Sequence, residues 1–252
     1  MIKKSLHLFL LIFISMNLLS ADLTVDDVIK KHIEAVGGYQ KLKSVKTMKM
    51  TFKFMTQGIE GPAVVFTKRP NKFRLNATIQ GMDMSQAYDG NIAWAIYPFG
   101  GNPDPQKLPE DQTKQMAEDA DIDGPLVDYQ KKGHQVELMG KEDVQGTETY
   151  KIKVTLKSGN IRYLYMDTEY FLPIKTTAKV KRGEQEFEID TFQGDFKEVD
   201  GMIIAHSQEI KMGENTVRQL TLEKVEINVD LDDNMFVMPE KKETATEQKE
   251  EK

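Results

Sequence analysis

The side chains able to do chemistry are few and far apart in this chain. Its histidines, His7, His32, His134 and His206, form no pair at the helical or strand spacing that holds a metal ion. There is no cysteine, so a thiol nucleophile is excluded. No Gly-x-Ser-x-Gly elbow occurs, and no glycine-rich phosphate loop precedes a helix. The stretch Asp119-Ala120-Asp121-Ile122-Asp123-Gly124 copies the opening of a calcium loop. Its twelfth position is Gln130, however, not the bidentate glutamate that closes such a site. A solvated helix end followed by a turn is the better reading. The remaining carboxylates are spread over polar faces and turns. The expectation is a protein with no catalytic residue, no metal site and no cofactor.

What the sequence concentrates instead is adaptable apolar surface. Of its 14 methionines, Met48, Met50, Met82 and Met84 fall within strand-like runs. Unbranched thioethers fill irregular space and suit guests of irregular shape, acyl chains among them.

The two ends read as processing and solvation. Residues 1–21 form an export signal: Lys3 and Lys4 open it, Leu6 to Leu19 is mostly apolar, and Leu19-Ser20-Ala21 offers small residues for cleavage. The apolar run falls short of the roughly 20 residues that span a bilayer. With no cysteine to acylate, the mature protein is expected to be soluble and not lipid-anchored. Without Lys3 and Lys4, 32 basic residues face 40 acidic ones, a net charge of −8. That balance disfavours nucleic acid and anionic membrane surfaces as partners. Residues 22–239 suffice for one domain, and 240–252 read as a charged, disordered tail.

Within the domain, Thr24 with Asp27 three residues on predicts a capped helix, whose apolar face is Val25, Val28, Ile29, Ile33 and Val36. A short turn from Tyr39 to Leu42 follows Gly37-Gly38. The period then becomes two. Met48, Met50, Phe52 and Phe54 alternate with lysine and threonine; Phe73, Leu75, Ala77 and Ile79 alternate with polar residues. So do Tyr150, Ile152, Val154 and Leu156, and later Ile174, Thr176, Ala178 and Val180. Antiparallel strands with one dry face look like this, and glycine turns separate about ten or eleven of them. Pro98 to Pro109 breaks the pattern, and Glu110 to Ala120 predicts a second helix with a thin apolar face. One large sheet with only two modest helices must curve to cover its dry face, and it then retains a hollow.

Residues 66–99 carry a Lys68-Arg69-Pro70-Asn71 corner, the aromatic Phe73, an Asp89-Gly90 turn, the only tryptophan, Trp94, and Pro98. This combination resembles the periplasmic outer-membrane lipoprotein-sorting (LolA/LolB-type) carriers, and the order of elements resembles them more loosely from Leu23 to Pro239. The resemblance implies a mainly β fold, an unclosed antiparallel half-barrel with helices over its concave face. It implies that Arg69 latches the helical lid and that Phe73 contacts cargo near the cavity mouth. Leu75 stands where the better-known carriers have a further aromatic. Met50, Phe52, Phe54, Phe73, Leu75 and Trp94 are the expected ligand-binding residues, with Trp94, Met50, Phe52 and Phe73 on one concave face. The implied cargo is an acylated lipoprotein or lipid. The implied partners are an inner-membrane lipoprotein-releasing transporter and an outer-membrane receptor, with the carrier a monomer. The other readings are an envelope-stress or regulatory module built on the same half-barrel, and a carrier of a different hydrophobe.

Overall fold

A computed structural model describes residues 23–99, 103–182 and 185–241. The expected export signal, residues 1–21, lies outside them, as does the part of the expected tail beyond Lys241.

Thr24 caps helix α1 (Val25–Ala35) as expected. Its hydroxyl accepts from the Asp27 N–H, and the Asp27 carboxylate accepts from the Thr24 N–H at 3.0 Å. A short helix α2 (Tyr39–Ser44) follows. Strands β1 (Thr47–Thr56), β2 (Ile59–Lys68), β3 (Lys72–Ile79), β4 (Met82–Tyr88), β5 (Ala93–Ile96) and β6 (Gln106–Lys107) then lead to helix α3 (Glu110–Asp119). After it come β7 (Gln135–Val144), β8 (Thr147–Thr155), β9 (Ile161–Asp167), β10 (Pro173–Arg182), β11 (Gln185–Val199), β12 (Met202–Met212) and β13 (Asn215–Ile227). A 3-10 turn, Asp233–Phe236, ends the described chain's regular structure.

All thirteen strands join one sheet in the order β6-β5-β4-β3-β2-β1-β13-β12-β11-β10-β9-β8-β7, every neighbouring pair antiparallel. The sheet does not close: β6 and β7 are its two ends, so it is an open half-barrel. The count exceeds the ten or eleven strands read from the alternation. Two-residue β6, for one, lies inside the Pro98–Pro109 stretch and is too short to show a period.

The first and last strands, β1 and β13, pair in the middle. The chain therefore spreads to one edge through β6, crosses the hollow with α3 and the segment after it, and returns from the other edge. The cover over the concave face is uneven as a result. At one end Val28 and Ile29 of α1 pack on Ile152, Val154, Leu164 and Met166 of β8 and β9. At the other, Met116 and Ala120 pack on Tyr88, Ala93 and Ala95 of β4 and β5. Between them lies a third cluster, Phe52, Phe54, Ala63, Ala77 and Leu222. The end of α1 reaches toward that middle region. There the Ile203 N–H donates to the Val36 carbonyl at 3.3 Å and Lys41 pairs with Asp200 at 2.8 Å. Gly37, at φ 123°, allows the approach, because a Cβ there would sit 2.5 Å from the Gly201 carbonyl oxygen.

Candidate functional site

The middle of the concave face holds a cavity of about 260 Å³. Its floor is Met48, Met50 and Phe52 of β1, Leu222 of β13, and Met202, Ile204 and Gln208 of β12, with Gln193 and Phe196 of β11 beside them. Val36, Leu42 and Val45 of the α1–α2 corner, together with Ile122, form the rim above. The cavity sits where neither α1 nor α3 covers the sheet. It is where a curved sheet with few helices is expected to keep a hollow.

Ile122 is held over this hollow by its neighbours' charges. The Arg69 guanidinium donates from Nη1 and Nη2 to the two Asp123 carboxylate oxygens at 2.7 and 2.5 Å. Its Nη2 also donates to the Leu42 carbonyl at 3.0 Å, and its Nε to the Val45 carbonyl at 2.5 Å. One rigid fork thus joins the β2–β3 corner, α2 and the crossing segment, a geometry an ammonium cannot copy. Lys43 adds a bond to Asp123 at 2.8 Å, and the Asp123 side chain is only 4% exposed. Burial pushes its carboxyl up, but the bonds from Arg69 and Lys43 outweigh that and hold it below the ordinary value. Asp128, which Lys131, Lys43 and Tyr39 contact, is lowered to about 2, chiefly by Lys131.

The acidic stretch is therefore a chain of ion pairs rather than an ion-binding loop. Asp121 meets Lys132 at 2.5 Å, and Glu118 and Asp119 each meet Arg162 of β9 at 3.1 Å. Arg69 and Arg162 lie on opposite sides of the hollow, so the segment is pinned at both. Among the described residues, no group of three or more metal-ligating side chains gathers. The described histidines bond to backbone: His32 to the Phe171 carbonyl, His206 to the Ile204 carbonyl, and His134 Nδ1 accepts from the Lys157 N–H.

The expected ligand-binding residues separate into three places. Met50 and Phe52 line the cavity. Phe54 lies in the adjoining cluster and Leu75 packs against it, while Phe73 packs beneath α3 near Tyr88 and Ala93. All five share the concave face, since β1, β2 and β3 pair without a register shift (Phe52 opposite Ala63, Ala63 opposite Ala77).

Trp94 does not join them, and the expectation of a concave Trp94 is corrected. Tyr88 pairs with Ala93 and Gln86 with Ala95, which puts both alanines inward and Trp94 outward. The indole is still only 1% exposed, because Phe236 covers it from outside, and its Nε1–H donates to the Phe236 carbonyl at 2.8 Å.

Of the methionines singled out, Met48 and Met50 line the cavity, Met84 packs on the cluster beside it, and Met82 is exposed. One further polar group faces inward: the Thr67 hydroxyl, opposite Met48 and Phe73, is buried with no hydrogen-bond partner among the described residues. Sequence reasoning missed Asp123 as the arginine's partner, Ile122 as the rim, and the whole β11–β13 side of the cavity.

No family model and no curated protein matches this sequence. Solved structures do. A DUF1329 family protein from Desulfovibrio piger is similar with a TM-score of 0.56 at 10% identity, over 86% of this chain and 98% of that one. A LolA superfamily protein from Nitrosomonas europaea gives 0.56 at 12%, over 86% and 98%. A candidate outer membrane lipoprotein-sorting protein domain from Vibrio parahaemolyticus gives 0.53 at 11%, over 82% and 97%. The fold is thus the half-barrel these proteins share. No helix of the described residues is long and apolar enough to cross a membrane.

Proposed function

We propose that this protein is an exported, non-catalytic carrier that takes an acyl chain of a lipid or lipoprotein into the cavity over β1, β13, β12 and β11. The observation that carries this reading is an apolar hollow left uncovered by the helices and rimmed by a segment that Arg69 holds down. Burial of chain supplies the affinity, on the order of 0.8 kcal/mol per methylene. At about 260 Å³ the cavity is smaller than the roughly 300–1,000 Å³ of small-molecule sites, so on this reading it must widen to admit an acyl chain. Loading then requires the rim to lift, and the arginine fork is the group that resists it. The fold likeness supports a periplasmic setting. On this reading a transporter in the inner membrane loads the carrier, and an outer-membrane receptor unloads it as a monomer. Fold alone does not choose this cargo; what supports it is the apolar lining of the cavity.

A fluorescent fatty-acyl probe tests the reading. The processed protein is expected to take it up, and Met50→Trp, which fills the floor, is expected to weaken binding by about tenfold or more while the fold persists. Wild-type protein that binds no probe, or a Met50→Trp variant that binds it equally well, would contradict the proposal.

A further inference from the structure

Two polar side chains interrupt the otherwise apolar lining. Gln193 of β11 and Gln208 of β12 are directly opposite in register, and both line the cavity. The register also fixes which way Gln208 faces. It pairs with Leu220, which pairs with Phe54 of the concave cluster. Both glutamines are half-buried, and neither side-chain amide has a hydrogen-bond partner among the described residues. Opposed residues in an antiparallel pair stand about 4.5–5.5 Å apart at Cβ. Two amides are therefore neighbours on the wall of the hollow, each able to supply an N–H donor and a carbonyl acceptor.

The rest of the lining limits what this pair accepts. No charged side chain among the described residues lines the cavity. An ionised head group drawn inside would lose its hydration with no countercharge to replace it. A bare hydrocarbon passing there would displace water from the two amides without replacing its hydrogen bonds. A neutral carbonyl or hydroxyl avoids both costs. From Gln208 across β13 to Met50 and Phe52 on β1 is two strand spacings, about 10 Å of apolar floor.

We infer that Gln193 and Gln208 form a polar subsite for the uncharged linkage, an ester, amide or glycerol hydroxyl, at the head of an acyl chain that runs over Met50, Phe52 and Leu222. The inference rests on the carrier reading and narrows it: the cargo is a neutral acylated amphiphile, and free fatty acids and alkyl amines are poor ligands.

Competition binding with three probes of equal chain length, monolaurin, laurate and dodecylamine, tests it at neutral pH. Monolaurin is expected to bind about tenfold more tightly than either charged probe, the worth of one or two net hydrogen bonds. The double variant Gln193→Leu/Gln208→Leu is expected to bind all three alike. A second variant, Gln208→Glu, guards against misfolding of the first and is expected to turn the preference toward dodecylamine. If the probes bind wild type alike, or if monolaurin keeps its advantage in both variants, the subsite is wrong while the carrier reading stands. If no probe binds wild type, the carrier reading fails and the subsite with it.

Discussion

Replacing Arg69 by leucine is expected to speed probe uptake and shift the open–closed balance by about one to two decades while the fold persists. The estimate follows from a hydrogen bond to a charged group being worth roughly 1.5–3 kcal/mol. The substitution removes the bonds to Asp123, Leu42 and Val45 together and leaves Asp123 with Lys43. Arg69→Lys is expected to restore only part of the closure, since an ammonium cannot reach the carboxylate and both carbonyls in one plane. The pH dependence has a definite sign. The Asp123 carboxyl sits below its ordinary 3.8 in the folded protein. Its contribution is complete above the unfolded value and is lost only as pH falls through the lower, folded one. Wild-type uptake is therefore expected to be flat from about pH 5 to 8 and to rise only in strong acid. Stopped-flow uptake with each variant checks this. Equal rates for wild type and Arg69→Leu would reduce Arg69 to a structural strand-end residue.

Trp94→Ala is expected to be the most destabilising single change at the lid-side edge, and to leave cargo binding intact. Truncating a buried tryptophan costs about 3–5 kcal/mol, or roughly 6–20 °C in melting temperature for a domain of this size. The indole anchors the C-terminal segment, which crosses the outside of the sheet. Thr47 donates to the Val229 carbonyl, Lys68 to the Leu231 carbonyl, Arg74 to the Met235 carbonyl, and Lys68 and Lys72 both pair with Asp233. Thermal melts and probe titration separate the two roles. A variant that melts normally but no longer binds probe would return Trp94 to the cavity.

That residue also shows where the sequence stops being legible. Alternation in Met48–Phe54 and Phe73–Ile79 was strong enough to set both strands and their dry face. At β5, α3 covers the inner face and Phe236 the outer, so Ala93-Trp94-Ala95 is buried on both sides and parity is not written in polarity. Helix α1 was legible because Thr24 and Asp27 announce its start locally. The partners of the acidic segment were not: Asp123 is 54 residues from Arg69, and Glu118 is 44 from Arg162. A run of carboxylates in sequence reads as solvated until the fold brings cations to it. The far wall of the cavity stayed hidden for the same reason, since β1 meets β13 only after the whole chain has returned.

The most direct measurement is native mass spectrometry of the protein purified without detergent from the cells that make it. The account predicts a population heavier than the processed chain, whose excess mass leaves on denaturation as a neutral acylated lipid or lipopeptide. Protein found only at its bare mass, and still bare after incubation with acylated lipids, would contradict it.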